Sequence, residues 1–279
     1  MELGAFDKVF QRPTFEDALD ALVAVGGRAI QFHLSSLGLE DLPYVIGPAQ
    51  IARARKACES HGVAMTAVSG MFNMAHPDPA VRADGLKRLD AVCAAGGGLG
   101  TSVVGVCTGS RNTTSMWRAH PDNRSPEAWR DLAATMAPAL ASAERYGVIL
   151  AMEPEVNNVV DSGRAARRLI DEMGSRNLKV CIDGANIFHS GELPRMDAVL
   201  GELFDLIGGD IAFAHAKDLD HDGDAGHLAP GHGVLDFDRY LRLLEKNGYR
   251  GAIIMHGLTE QQAPRCFHIL GEKLARLGQ

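Results

Sequence analysis

Four short apolar runs in the second half of this chain each close on an ionisable side chain, and that pattern constrains the fold more than any other feature. Val148-Ile149-Leu150-Ala151-Met152 ends on Glu153, and Lys179-Val180-Cys181-Ile182 ends on Asp183. Ile211-Ala212-Phe213-Ala214 reaches His215 and continues as Ala216-Lys217-Asp218, and Ala252-Ile253-Ile254-Met255 ends on His256. A strand buried on both faces reads as a near-continuous apolar run, as in parallel sheets covered by helices. Such sheets carry their chemistry at the carboxyl ends of the strands.

The rest of the chain supplies the alternation that this reading needs. Strands are expected at Leu3–Phe10, Ala29–His33, Val63–Ser69 and Ser102–Cys107, before the four above. Between them the apolar spacing is helical, as in Phe15, Ala18, Leu19, Leu22 and Val23. Thr14 with Asp17, and Ser125 with Pro126, stand at capping positions. Helices are expected over Pro48–His61 and Asp78–Ala95, from Ser125 to Gly147 with a kink at Pro138, and from about Glu260 to Leu277. Ala166, Leu169, Ile170 and Met173 mark one more helix, Met196 to Ile207 another, and Phe237, Tyr240, Leu241 and Leu244 a third. Strand and helix thus alternate eight times with no break in composition, which predicts a closed (β/α)8 barrel, a TIM barrel, as one domain over residues 1–279. An open doubly wound sheet would place a glycine-rich phosphate turn after its first strand. Gly96-Gly97-Gly98-Leu99-Gly100 follows a helix instead, and is expected to be a loop.

Charge and cysteine content narrow the function. The formal net charge is −7, with no Lys/Arg cluster to attract a polyanion, so nucleic acid is not an expected partner. The five cysteines lack CxxC spacing and mostly fall in apolar patterns, which fits reduced, buried thiols and a cytoplasmic protein. No segment is long and apolar enough for a membrane span, and no basic, apolar leader opens the chain.

If the barrel closes, Glu153, Asp183, His215 and His256 meet at one mouth. Two carboxylates with two imidazoles suit a divalent ion such as manganese, zinc or cobalt. Each residue has a plainer reading: a helix cap or an arginine partner for the acids, a satisfied core histidine for His215, a substrate contact for His256. Asp218-x-Asp220-x-Asp222-Gly223 imitates a calcium loop, but position 229 is Ala where the closing Glu belongs. Two loops are long, Thr108–Arg124 and Lys217–Gly233.

The second half also resembles the xylose isomerase-like barrel superfamily of sugar isomerases and epimerases, which includes endonuclease IV. The likeness lies in Leu150-Ala151-Met152-Glu153-Pro154-Glu155, Ile182-Asp183-Gly184-Ala185-Asn186, His215-Ala216-Lys217-Asp218, Pro230-Gly231-His232-Gly233-Val234-Leu235-Asp236-Phe237 and Gly248-Tyr249-Arg250-Gly251. The resemblance implies a divalent metal (Mn, Zn, Co or Mg) on Glu153, Asp183 and His215. The chain departs from the family where a second Glu usually ends the eighth strand, here His256. It departs again where a His often follows the sixth-strand Asp by three residues, here Asn186.

The expected activity is metal-dependent isomerisation or epimerisation of a small sugar, sugar phosphate or polyol, by proton abstraction beside a polarised carbonyl. Glu153 would be ligand and base, His256 ligand or second acid/base, and Lys217 the oxyanion partner unless it pairs with Asp218. Asn186, Glu155, Arg111, Trp117 and His76 are the candidate substrate contacts. A dehydratase acting on an inosose-like substrate and a non-catalytic sugar-binding barrel are the alternatives. The expected partner is a small carbohydrate, and assembly into a homo-oligomer stays open.

Overall fold

The computed structural model describes residues 1–277. Eight strands run β1 (Glu2–Phe6), β2 (Ala29–Phe32), β3 (Ala64–Ser69), β4 (Val103–Cys107), β5 (Ile149–Glu153), β6 (Leu178–Asp183), β7 (Ile211–Ala216) and β8 (Ala252–Met255). Each pairs in parallel with its sequence neighbour, and β1 with β8, so the sheet closes into a barrel without edges. Eight helices cover it: α1 (Phe15–Ala24), α2 (Pro48–His61), α3 (Pro79–Leu99), α4 (Pro126–Tyr146), α5 (Gly163–Met173), α6 (Met196–Ile207), α7 (Phe237–Lys246) and α8 (Ala263–Leu277). The expected (β/α)8 architecture is therefore the observed one.

Local signals act as their chemistry dictates. Thr14 Oγ1 accepts from the Asp17 amide at 3.1 Å, and Ser125 Oγ accepts from the Ala128 amide at 3.1 Å. Gly62 and Gly147 end their helices in the left-handed conformation. α4 continues on both sides of Pro138.

Two boundaries depart from expectation, and one long loop is more firmly held than its length suggests. β1 stops at Phe6, because the Asp7 carboxylate turns back to accept from its neighbour's amide and from the amide of His33. The run Gly96-Gly97-Gly98-Leu99, expected as a loop, is the last turn of α3. Glycine in a helix costs about 1 kcal/mol relative to alanine, but a Cβ on Gly96 would stand 3.0 Å from Val148, and one on Gly98 2.8 Å from Ile51. Close packing outweighs propensity here, and Gly100 supplies the left-handed end. The loop 108–124 is tied down by amide side chains: Asn123 accepts from the Arg111 amide at 2.7 Å and donates to Asn157 O at 2.8 Å.

The barrel interior is stacked in layers, because successive strand residues face opposite sides. Ala29, Ala67, Ala151, Cys181, Phe213 and Ile254 form a wholly buried apolar layer. Two residues further along the same strands stand Gln31, Ser69, Glu153, Asp183, His215 and His256. The polar ring thus sits one layer above an apolar plug, at the carboxyl end of the barrel.

The loop after β7 folds around one buried carboxylate. Asp218 accepts from the amides of Leu219, Gly231, Gly233 and Leu235 at 2.9–3.0 Å. A Cβ on Gly233 would fall 2.2 Å from Leu219 O, so only glycine passes there. Asp218 is consumed in holding the loop, and Lys217 pairs with Asp183 instead. Replacing Asp218 by Ala is expected to lower the unfolding free energy by more than about 3 kcal/mol, since four donors lose a charged acceptor. Asp218→Asn, which keeps an acceptor oxygen, should cost less. Urea denaturation measures both, and an alanine variant as stable as wild type would refute the assignment.

Candidate metal centre and active site

Glu153, Asp183, His215 and His256 come from four consecutive strands and offer ligand atoms that all lie within 4.8 Å of one another. Asp183 and His215 are direct partners in the β6–β7 ladder. The first three are buried, and the His256 side chain is 16% exposed to the cavity above.

The surrounding hydrogen bonds aim these groups. His215 Nε2 lies 2.6 Å from Gln31 Oε1, and Gln31 Nε2 donates to Ser69 Oγ at 2.8 Å. The amide oxygen therefore accepts from Nε2–H, and the other ring nitrogen, Nδ1, faces Glu153 Oε1 at 3.1 Å. Asn186 Nδ2 donates to the same Oε1 at 2.7 Å, and Asn186 Oδ1 accepts from the Gly226 amide at 3.1 Å. Asn186 and His215 both approach Glu153 at Oε1, which leaves Oε2 for the cavity. Asp183 Oδ1 accepts from the Ala185 amide at 2.9 Å. Tyr240 locks the strand ends from outside, its hydroxyl donating to Ile182 O at 3.0 Å and His215 O at 2.9 Å.

Two buried atoms of the set have no hydrogen-bond partner among the described residues: Asp183 Oδ2 and His256 Nε2, 3.5 Å apart. Buried polar atoms are rarely left unpaired. The His256 ring stacks on Phe6 at 4.4 Å, which aims Nε2 inward. Burial, with Lys217 and His215 beside it, pushes the His256 imidazole down to about 3, so it is neutral and its lone pair is available. Burial would raise the Asp183 carboxyl, but Lys217 and then His256 hold it below the usual carboxylate range. Burial would likewise raise Glu153, and His215 outweighs it. Two ionised carboxylates and two imidazoles, with orphaned atoms facing each other, fit a divalent cation.

Above the centre lies a cavity of about 400 Å³, whose wall includes Phe6, His33, Trp117, Glu155, Asn157 and Lys217. Lys217 Nζ stands 3.6 Å from Asp183 Oδ2. Burial and the charge on Glu153 push the Glu155 carboxyl up to about 8, so it keeps its proton at neutral pH.

Of the residues singled out in the sequence, the structure brings Glu153, Asp183, His215, His256, Lys217, Glu155 and Trp117 to this mouth. Asn186 grips Glu153 rather than lining the cavity. Arg111 is turned away, paired with Asp131 at 2.5 Å and donating to Ala75 O. His76 accepts from the Asp78 amide at 3.0 Å, at the start of α3, and does not reach the cavity wall. Gln31, Phe6 and His33 also line this mouth and are not among those residues. Gln31 did leave a trace, as the lone amide in the buried run Ala29–Phe32. Phe6 left none.

With this geometry in place, the sequence profile of the xylose isomerase-like TIM barrel family is found to match residues 15–265. The chain belongs to that family. Among solved structures it is similar to a D-tagatose 3-epimerase-like protein, with a TM-score of 0.79 and 18% identity over 100% of this chain and 98% of the other. It is also similar to 3-keto-D-glucoside 4-epimerase, YcjR, from E. coli (TM-score 0.76, 18% identity, 98% of this chain and 99% of the other). An L-ribulose 3-epimerase matches with a TM-score of 0.75 and 18% identity over 99% and 95% of the two chains. At that identity the likeness is one of fold. No curated protein matches the chain in sequence. Among the described residues no helix is long and apolar enough to cross a membrane.

Gln31 offers a direct check on the centre. Gln31→Leu removes the acceptor that orients His215 and should weaken manganese binding by about ten- to a hundredfold. Calorimetric titration of the metal-free protein measures this, with circular dichroism confirming an intact fold. Unchanged affinity would mean that His215 is not a ligand.

Proposed function

We propose that this barrel is a divalent-metal-dependent isomerase or epimerase of a small sugar or polyol. One observation carries the reading. Glu153 has one oxygen held by Asn186 and faced by His215, and the other free toward a cavity that also presents a buried lysine and a neutral carboxyl group.

The residues divide the work as follows. Glu153, Asp183, His215 and His256 would hold the cation, which when bound polarises the substrate carbonyl and acidifies the neighbouring C–H. Glu153 Oε2 takes the proton from that carbon, within reach because Asn186 and His215 fix the other oxygen. Lys217, kept charged by Asp183 and Glu153 against the cost of burial, offsets the negative charge that grows on the carbonyl oxygen. Glu155 keeps its proton and faces the same cavity, so it is the better-placed second proton carrier. His256, held neutral, serves as ligand. Phe6 and Trp117 give the cavity apolar walls against which a sugar ring packs. The similar structures named as epimerases, or epimerase-like, agree with this assignment.

Glu153→Gln keeps the shape of the site but cannot accept the proton. In heavy water the manganese-loaded wild type should exchange the hydrogen beside the carbonyl of one member of a free-ketose panel, followed by NMR. The variant should be slower by about a thousandfold, the weight of a positioned general base. Tight, stoichiometric manganese with no exchange or turnover on any ketose or polyol would favour a sugar-binding barrel instead.

A further inference from the structure

The loop between β7 and α7 carries a second convergence of ligand groups that the proposed chemistry does not use. Asp220 Oδ1 lies 2.5 Å from His221 Nδ1 and 3.2 Å from His227 Nε2, and the two imidazole rings are 4.7 Å apart. All three donor atoms lie within 4.8 Å of one another. The group shares no residue with the buried centre. It is open to water, with the Asp220 and His221 side chains 57% and 59% exposed.

The backbone beneath it is pinned. Asp218 and Leu228 form an antiparallel bridge, their amides donating to each other's carbonyls at 2.8 and 3.0 Å. The His227 amide donates to Asp218 O at 3.0 Å. The turn between them is anchored on the preceding loop: Gly223 N donates to Phe188 O at 2.9 Å, and Asp222 accepts from the Leu193 amide at 2.8 Å. Asp220 and His227 therefore face each other across a held hairpin, and little chain entropy remains to be lost when a ligand joins them.

We propose that Asp220, His221 and His227 form a second metal site at the rim of the barrel, suited to zinc. Two imidazoles and one carboxylate favour zinc, cobalt, nickel or copper over magnesium or calcium. Three protein ligands leave at least one position to water. The site reaches the chemistry through the hairpin itself. Asp224, Ala225, Gly226 and His227 line the cavity, and the Gly226 amide holds the Asn186 side chain that grips Glu153. A cation at the rim fastens that wall.

The test is a calorimetric zinc titration of the metal-free full chain, with His221→Ala and Asp183→Asn alongside. His221 is exposed and bonded only within the cluster, so its loss leaves the fold intact. Wild type should take two equivalents. His221→Ala should weaken one binding event by more than about tenfold and spare the other. Asp183→Asn should do the reverse. In wild type the second equivalent should slow amide exchange across residues 218–228, and in His221→Ala it should not. A wild type that takes zinc only at the event abolished by Asp183→Asn overturns the rim site, as does a His221→Ala variant that binds like wild type. Zinc lost with His221→Ala but indifferent to Asp183→Asn would uphold the rim site and instead sink the buried centre.

Discussion

The two-residue period of a strand in a closed barrel governs everything at this site. Ala151, Cys181, Phe213 and Ile254 form a wholly buried plug. Because side chains alternate, the residues two positions on point into the same space: Glu153, Asp183, His215 and His256. The plug below excludes water from one side, and the walls leave the acids little solvent from another. Carboxylates in such a place must be paired, protonated or bound to a cation, and this site combines these responses. Glu153 and Asp183 stay ionised beside His215, Lys217 and His256, while Glu155, two residues past Glu153, keeps its proton.

The support around the centre is as specific as the ligands. Gln31 selects the tautomer of His215, Asn186 occupies one oxygen of Glu153, and Tyr240 clasps two strand ends. These contacts bear on two positions where the chain departs from the resemblance. Asn186, where the resemblance led to an expected histidine, bridges the Gly226 amide and Glu153 Oε1. His256, where relatives carry a carboxylate, stacks on Phe6 and offers a neutral lone pair. A carboxylate there would add negative charge. An imidazole does not, so the four groups together carry one negative charge fewer.

Much of this was legible from single residues. Alternating apolar runs and helical stripes announced the barrel, since each period reflects which face is buried. The ionisable ends of β5 to β8 pointed to one mouth, because burying such groups at four neighbouring strand ends is costly unless they meet partners there. Reading failed where the outcome turned on a partner distant in sequence. Gly96 to Gly98 read as a loop, yet they are helical, and Val148 and Ile51 crowd the places where side chains on Gly96 and Gly98 would stand. Lys217 lay beside Asp218, yet pairs with Asp183, because Asp218 turns outward to gather four amides. Arg111 and His76 stood in loops near the expected mouth. Asp131 holds the first away from it, and the second is spent on the Asp78 amide.

By itself, then, the sequence determined which side chains are driven to the carboxyl ends of the strands and on which side of the sheet they stand, because hydrophobic burial and strand parity are local properties of the chain. The tertiary structure alone decided which oxygen of Glu153 remains free, which nitrogen of His215 faces the centre, and that Asp220, His221 and His227 converge at the rim. Hydrogen-bond direction depends on groups brought together across the closed barrel and its folded loops, and no linear spacing encodes it.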